Sequence, residues 1–318
     1  MRMLENHPQL EIFPYAFHNA WQTGPERLQR RPQDEDALPE SWKQDSLEET
    51  YQKAFDRVVN SMLKAEENGK ISMFKEHVYF IMDPRVVVAN ISAEARAKRV
   101  VVQKPTIINH DPSAPLSGDS TVNSTRNGDK PSPVPANPTV LPTSFLLTMS
   151  PVCLFRHPAP MFESYYRAAI RGGISISIHD EDFPVNTSLR WIRLLHDWYL
   201  SIGDVPVTIE ADDLINNDSV MPKFCKALGL DPRYLQTQWD KIPEEKKAGQ
   251  GLMDTSFLQT IQNSTGIIRS KRRDAEIKNE QERERWATEF GEEVAAALYR
   301  AVEDAMPDYT YLRSKRLV

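Results

Sequence analysis

Residues 151–171 read PVCLFRHPAPMFESYYRAAIR, and this stretch decides the fold. PVCLFR is a short, continuous apolar run ended by a cation, which predicts a strand buried on both faces of a parallel sheet. After Pro158, apolar and small residues at helical spacing predict a helix over about 159–171, closed by Gly172-Gly173. In sheets built from such strand–helix units, ligands sit at the carboxyl ends of the strands. Arg156 and Ser164 are therefore candidates for a binding site. A guanidinium at the strand end can meet a hydroxyl on the second helical turn, beside the helix's first N–H groups, and these donors together would hold a phosphate. The competing reading is a structural ion pair at Arg156 and an ordinary surface serine at Ser164.

Working outward, the same alternation of elements recurs. Residues 46–67 predict a helix: Ser46 and Glu49 make a capping-box pattern, Leu47, Tyr51, Phe55 and Met62 line one face, and Asn68-Gly69 stops it. ISMFKEHVYFIM (71–82) is rich in β-formers and predicts a strand leaving a functional loop. SLRWIRLLHDWYLSI (188–202) predicts a helix and VPVTIE (205–210) a strand. A short helix capped by Asp218 should follow. Trp286, Phe290, Val294, Leu298 and Val302 recur every fourth residue and predict one long C-terminal helix. Helices alternating with short apolar strands define an α/β chain with a mostly parallel sheet.

Between these elements lies a compositional break. Residues 104–142 hold eight of the 23 prolines, among Ser, Asn, Asp and Gly, with no aromatic residue. Such a segment buries too little apolar surface to offset its ordering entropy, so a disordered insertion within a single 1–318 domain is expected. The 318-residue chain is 40% hydrophobic and 26% charged, with a net charge of −6, a soluble balance that disfavours a nucleic-acid partner. No apolar run approaches the roughly 18 residues of a membrane span. Only two cysteines occur, Cys153 and Cys225, both in apolar stretches, which excludes a disulfide scaffold and points to a reduced, cytoplasmic setting. His179-Asp180-Glu181-Asp182 reads as a solvated turn rather than a metal site, because consecutive residues rarely converge on one ion.

VCLFRHPAPMFESYYRA resembles the 3′-phosphate-binding segment of the sulfotransferases, with Arg156 and Ser164 on the family's two phosphate-holding positions. VPVTIEADDLINNDSVMPKFCKALGLD (205–231) is similar to the block that follows in that family, and Phe74-Lys75-Glu76-His77 to its Lys-x-His. NSTGIIRSK and MPDYTYLRSKRL look like the C-terminal segments of a fungal branch found among natural-product enzymes. The resemblance implies a three-layer, P-loop-NTPase-like sulfotransferase fold with a mostly parallel sheet. It also implies 3′-phosphoadenosine 5′-phosphosulfate as co-substrate, a small-molecule hydroxyl acceptor, and no metal. By the same resemblance His77 is the catalytic base, Lys75 assists the sulfuryl group, and Arg269 and Lys271 approach the 3′-phosphate. The chain departs from the family at its start. MRMLENHPQL looks like the helix after the family's phosphosulfate-binding loop, so that strand and loop are expected to be missing, and Ala211 stands where the family has an aromatic adenine contact.

His77 suits proton abstraction from a hydroxyl because an unperturbed imidazole titrates near 6.5. In an ideal strand Lys75 and His77 share a face, which permits joint work on one reacting group. Two rival functions stay open on sequence alone. One is cofactor-free acid–base chemistry at His77, such as a dehydration, cyclisation or hydrolysis; the other is a non-catalytic scaffold.

Overall fold

The computed structural model describes residues 2–27, 47–91, 104–108, 135–171, 177–180, 182–247, 252–269 and 277–318. Ser46, Gly172-Gly173, Lys271 and the 109–134 part of the Pro-rich segment lie outside them. Four short strands pair in parallel, β1 (Leu10–Pro14) with β2 (Ile71–Lys75) and β3 (Val152–Phe155) with β4 (Val207–Glu210). The protein is thus mixed α/β with two small parallel sheets.

β1 was not expected. The start of the chain forms a single 3-10 turn, Arg2–Leu4, and then the strand, rather than the helix that MRMLENHPQL suggested. The reason is the alternation in LEIFP. Leu10 and Ile12 point to one side, where they pack with Met73 of β2, Val207 and Ile209 of β4, and Phe224. Phe74 points to the other side, against Phe17, Phe55 and the Tyr51–Glu67 helix. That helix begins later than the capping-box pattern implied. The Thr50 hydroxyl accepts from Lys53 N at 3.1 Å, and Gly69, at φ +66°, closes the far end with its N–H on Glu66 O.

β2 is half the length expected from 71–82. The strand stops at Lys75, and Val78–Ile81 is a helical turn that buries Phe80 and Ile81. β3 departs from the sequence reading in its burial. Cys153 and Phe155 point inward, while Val152 and Leu154 are 39% and 50% exposed. Helices cover its inner side, with Phe155 against Leu189, Tyr309 and Leu312, but no described element covers the other. The Pro158–Arg171 helix follows it as expected. The Arg190–Ser201 helix matches its reading within two residues. Val220–Ala227 begins after Ser219 with no side-chain cap, since the Ser219 hydroxyl donates to Asn217 Oδ1 and the Asp218 carboxylate pairs with Arg269.

Two further differences concern packing. Residues 135–142 belong to the core despite their prolines: Val140 and Leu141 are buried with Phe55 and Phe145, and Trp198 Nε1 donates to Pro135 O at 3.1 Å. The C-terminal periodicity spans two helices, Asn279–Phe290 and Glu292–Ser314, hinged at Gly291, whose φ of +89° only glycine adopts readily. Trp286, Leu298 and Val302 still share one core with Phe162 and Tyr166, because the hinge keeps both apolar faces on the Pro158–Arg171 helix.

Candidate functional site

The carboxyl end of β2 carries Lys75, Glu76 and His77, and the carboxyl end of β1 lies beside it because the strands are parallel and in register, Pro14 against Lys75. This brings Tyr15 into the site. Its N–H donates to Lys75 O at 2.8 Å, and it is the one non-glycine residue with positive φ (56°) among the described residues. A tyrosine held in the left-handed region costs on the order of 1–3 kcal/mol, which its surroundings must offset. Glu76 helps to do so by accepting from Phe17 N at 3.0 Å.

The side chains then converge. Lys75 Nζ donates to the Tyr15 hydroxyl and lies 3.9 Å from the centre of the Tyr15 ring. His77 is stacked between two tyrosines, with ring centres 5.1 Å from Tyr15 and 5.3 Å from Tyr79 and interplanar angles of 20° and 16°. The residue as a whole stays exposed to solvent. Lys75 and His77 share a partner rather than a strand face, since the strand ends between them.

Electrostatics separates the roles. Burial, and after it the neighbouring Lys75 and His18, pushes the His77 imidazole down to about 4, so it is neutral at pH 7. Burial pushes the Glu76 carboxyl up to about 7, more than the Phe17 and His77 N–H groups and Lys75 can hold it down. Burial also raises the Tyr79 phenol, and after it the electrostatic influence of Tyr165, Tyr15 and Glu76. Tyr165 follows Ser164 on the Pro158–Arg171 helix, so that helix reaches toward the His77 cluster.

The ends of β3 and β4 are built differently. Arg156 is half-buried just beyond β3, and Ser164 is exposed two turns along the next helix. The expected N–H donors of that helix are not on offer. Pro158 and Pro160 have none, and Ala159 N already donates to His157 Nδ1 at 3.2 Å. Ser164 faces outward because its neighbour Glu163 is turned in, where Arg285 Nη1 (2.7 Å), Arg167 and Trp286 Nε1 (3.2 Å) donate to it. Burial would raise the Glu163 carboxyl, but these donors hold it at about 2. At the end of β4 the buried Glu210 accepts from Tyr309 Oη and pairs with Arg313 (3.2 Å) and Arg316 (3.4 Å). Arg269 is committed elsewhere: its Nη2 lies 2.5 Å from Asp218 Oδ1 and its Nη1 donates to Ile215 O at 3.2 Å.

Lys75 and His77 come into one cluster through Tyr15, not through the strand face that the sequence reading expected. It missed Tyr15, and it gave Glu76 and His18 no role. The signal was present in LEIFPY, whose alternation marks a strand and so puts Tyr15 at a strand end. Among the described residues no three His, Cys, Asp or Glu side chains cluster as a metal site, and no helix is long and apolar enough to cross a membrane.

The chain is 32% identical to sulfotransferase ppzF of Metarhizium majus over 285 residues, 85% of this chain and 77% of the relative. It is 30% identical to sulfotransferase ppzF of Metarhizium rileyi over the same shares of both chains. No family model and no solved structure matches. The chain belongs to the sulfotransferase family, in a branch represented in fungi.

Proposed function

We propose that this protein transfers a sulfuryl group from 3′-phosphoadenosine 5′-phosphosulfate to a hydroxyl of a small-molecule acceptor. The observation that carries the proposal is the neutral imidazole of His77 and the Lys75 ammonium gathered at one strand end. In the transfer, the acceptor oxygen forms a bond to sulfur as the bond from sulfur to the 5′-phosphate oxygen breaks, so positioning and charge stabilisation dominate. His77 removes the acceptor proton. An imidazole near 4 is a weak base, but an anionic co-substrate beside it raises its proton affinity, so the base strengthens when the site fills. Lys75 stabilises negative charge on the sulfuryl oxygens and the leaving phosphate. Arg156 and Ser164 hold the 3′-phosphate. Arg269 joins them only by leaving Asp218, which an exposed ion pair permits at little cost.

The larger setting follows the same reading: one sulfotransferase-like domain of P-loop-like, three-layer architecture, in the cytoplasm, tailoring a secondary metabolite. The fungal relatives and the two free cysteines support it. The test is calorimetric titration of the chain and of Arg156→Ala with 3′-phosphoadenosine 5′-phosphate. Micromolar binding (about −8 kcal/mol) that the variant loses supports the proposal. Absence of binding to the unaltered chain overturns it in favour of cofactor-free acid–base chemistry at His77.

A further inference from the structure

The strained tyrosine at the end of β1 has no role in the sulfuryl-transfer scheme above, yet it touches both groups that scheme uses. Its phenol oxygen accepts from Lys75 Nζ, and its ring lies stacked on His77 at 5.1 Å. Packing alone does not account for it. The ring is only partly buried, at the rim of the core that holds Phe17 and Phe55, and a residue without φ +56° would pack there at lower backbone cost. The unfavourable backbone is held by two hydrogen bonds that both come from the Lys75-Glu76-His77 segment, Tyr15 N to Lys75 O and Phe17 N to the Glu76 carboxylate. The strain and the site are therefore one construction.

We propose that Tyr15 is a positioning residue: it anchors the Lys75 ammonium through its hydroxyl and orients the His77 ring through its face, so that cation and base meet one reacting group. The inference rests on the sulfuryl-transfer reading for its kinetic consequence but not for its structural one. A flexible lysine beside an unclamped histidine would sample many relative positions, and misplacement by about 1 Å costs a reaction of this kind on the order of a hundredfold. The groups that face His77 are Lys75, His18, Glu76, Tyr15 and Tyr79, so its titration reports on where the ammonium is held.

The test follows the His77 ring proton by NMR titration in the whole chain, in Tyr15→Phe, in Lys75→Met and in the double variant, with transfer kinetics alongside. Tyr15→Phe keeps the stacked ring and removes only the anchoring oxygen. Its His77 should titrate at higher pH than in the unaltered chain, because the ammonium is no longer held near. Lys75→Met should shift it upward too, and the double variant no further than Lys75→Met. In transfer assays Tyr15→Phe should lower kcat about tenfold or more with the acceptor KM unchanged, as loss of orientation rather than of binding requires. An unmoved His77 titration in Tyr15→Phe, additive shifts in the double variant, or an unchanged kcat overturns the proposal. If the unaltered chain transfers no sulfuryl group, the functional reading fails and the titration decides the role of Tyr15 by itself. If Tyr15→Phe does not fold, Lys75→Met decides: a His77 titration that ignores its loss means that no ammonium is held there.

Discussion

The two strand-end clusters of this molecule surround a carboxyl group with different partners. At the end of β4, Glu210 is 2% exposed and nearly every lone pair it has is answered, by Tyr309, Arg313 and Arg316. Burial raises both this carboxyl and that of Glu76 at the end of β2, but Glu76 is held by the N–H groups of Phe17 and His77 rather than by arginines, and beside it burial lowers the His77 imidazole. A satisfied ion cluster ties the C-terminal helix to the sheet and resists change. A cluster built on backbone N–H groups and a lysine leaves the His77 imidazole neutral at pH 7 and the Glu76 carboxyl close to its midpoint, a poise that suits proton transfer.

The largest expected effect separates the two directly. His77→Ala should lower kcat by about 10²–10⁴-fold while leaving the unfolding temperature nearly unchanged. Glu210→Gln should do the reverse, lowering unfolding free energy by about 1–3 kcal/mol with a small effect on turnover. Parallel thermal melts and transfer assays check the pair. Loss of activity without loss of stability in Glu210→Gln would break the contrast.

A subtler effect concerns pH. A carboxyl raised from 4.5 to about 7 contributes stability that is whole below about 4.5 and gone above about 7, whereas an imidazole lowered from 6.5 to about 4 contributes stability that is whole above about 6.5 and gone below about 4. Between about 4.5 and 6.5 the two contributions run in opposite directions and largely cancel. Relative to the unaltered chain, Glu76→Gln should therefore lose stability as pH falls from 6.5 to 4, and His77→Phe should lose it as pH rises from 4.5 to 7. Urea unfolding across pH 4–8 reads both slopes. Slopes of the same sign would show that the two groups do not titrate as a buried pair.

The smallest effect lies at Asp218→Asn. The Arg269–Asp218 pair is exposed, 49% and 82% on its two sides, so its loss should cost less than about 1 kcal/mol. Released from Asp218, Arg269 should bind 3′-phosphoadenosine 5′-phosphate more tightly by a few-fold in the same calorimetric titration. Unchanged affinity would exclude Arg269 from the phosphate site and leave Arg156 and Ser164 as its holders.

Local chemistry made much of this legible in the chain itself. The apolar run before Arg156, the helix after Pro158 and the stop at Asn68-Gly69 each follow from nearest neighbours along the sequence, and the structure contains all three. Lys75 and His77 could be singled out together because only Glu76 separates them in the sequence and no folding is needed to bring them close. The loss of helix N–H donors at Pro158 and Pro160 was equally readable, since proline has none whatever the fold.

Tertiary structure decided the rest, and for one reason: it joins residues that the chain keeps far apart. Tyr15 lies 60 residues from Lys75 and reaches it only because β1 and β2 pair in parallel with Pro14 opposite Lys75. Val140 and Leu141 sit in a stretch whose composition argues against burial, and only their packing with Phe55, Phe145 and Trp198 shows why they are in the core. Val152 and Leu154 read as buried and are exposed, because a strand's sequence records its own hydrophobicity and not which elements come to cover it. The direction of the His77 and Glu76 titrations is of the same kind. Residue type sets the ordinary value, while burial and neighbouring charge, properties of the folded surroundings alone, move it.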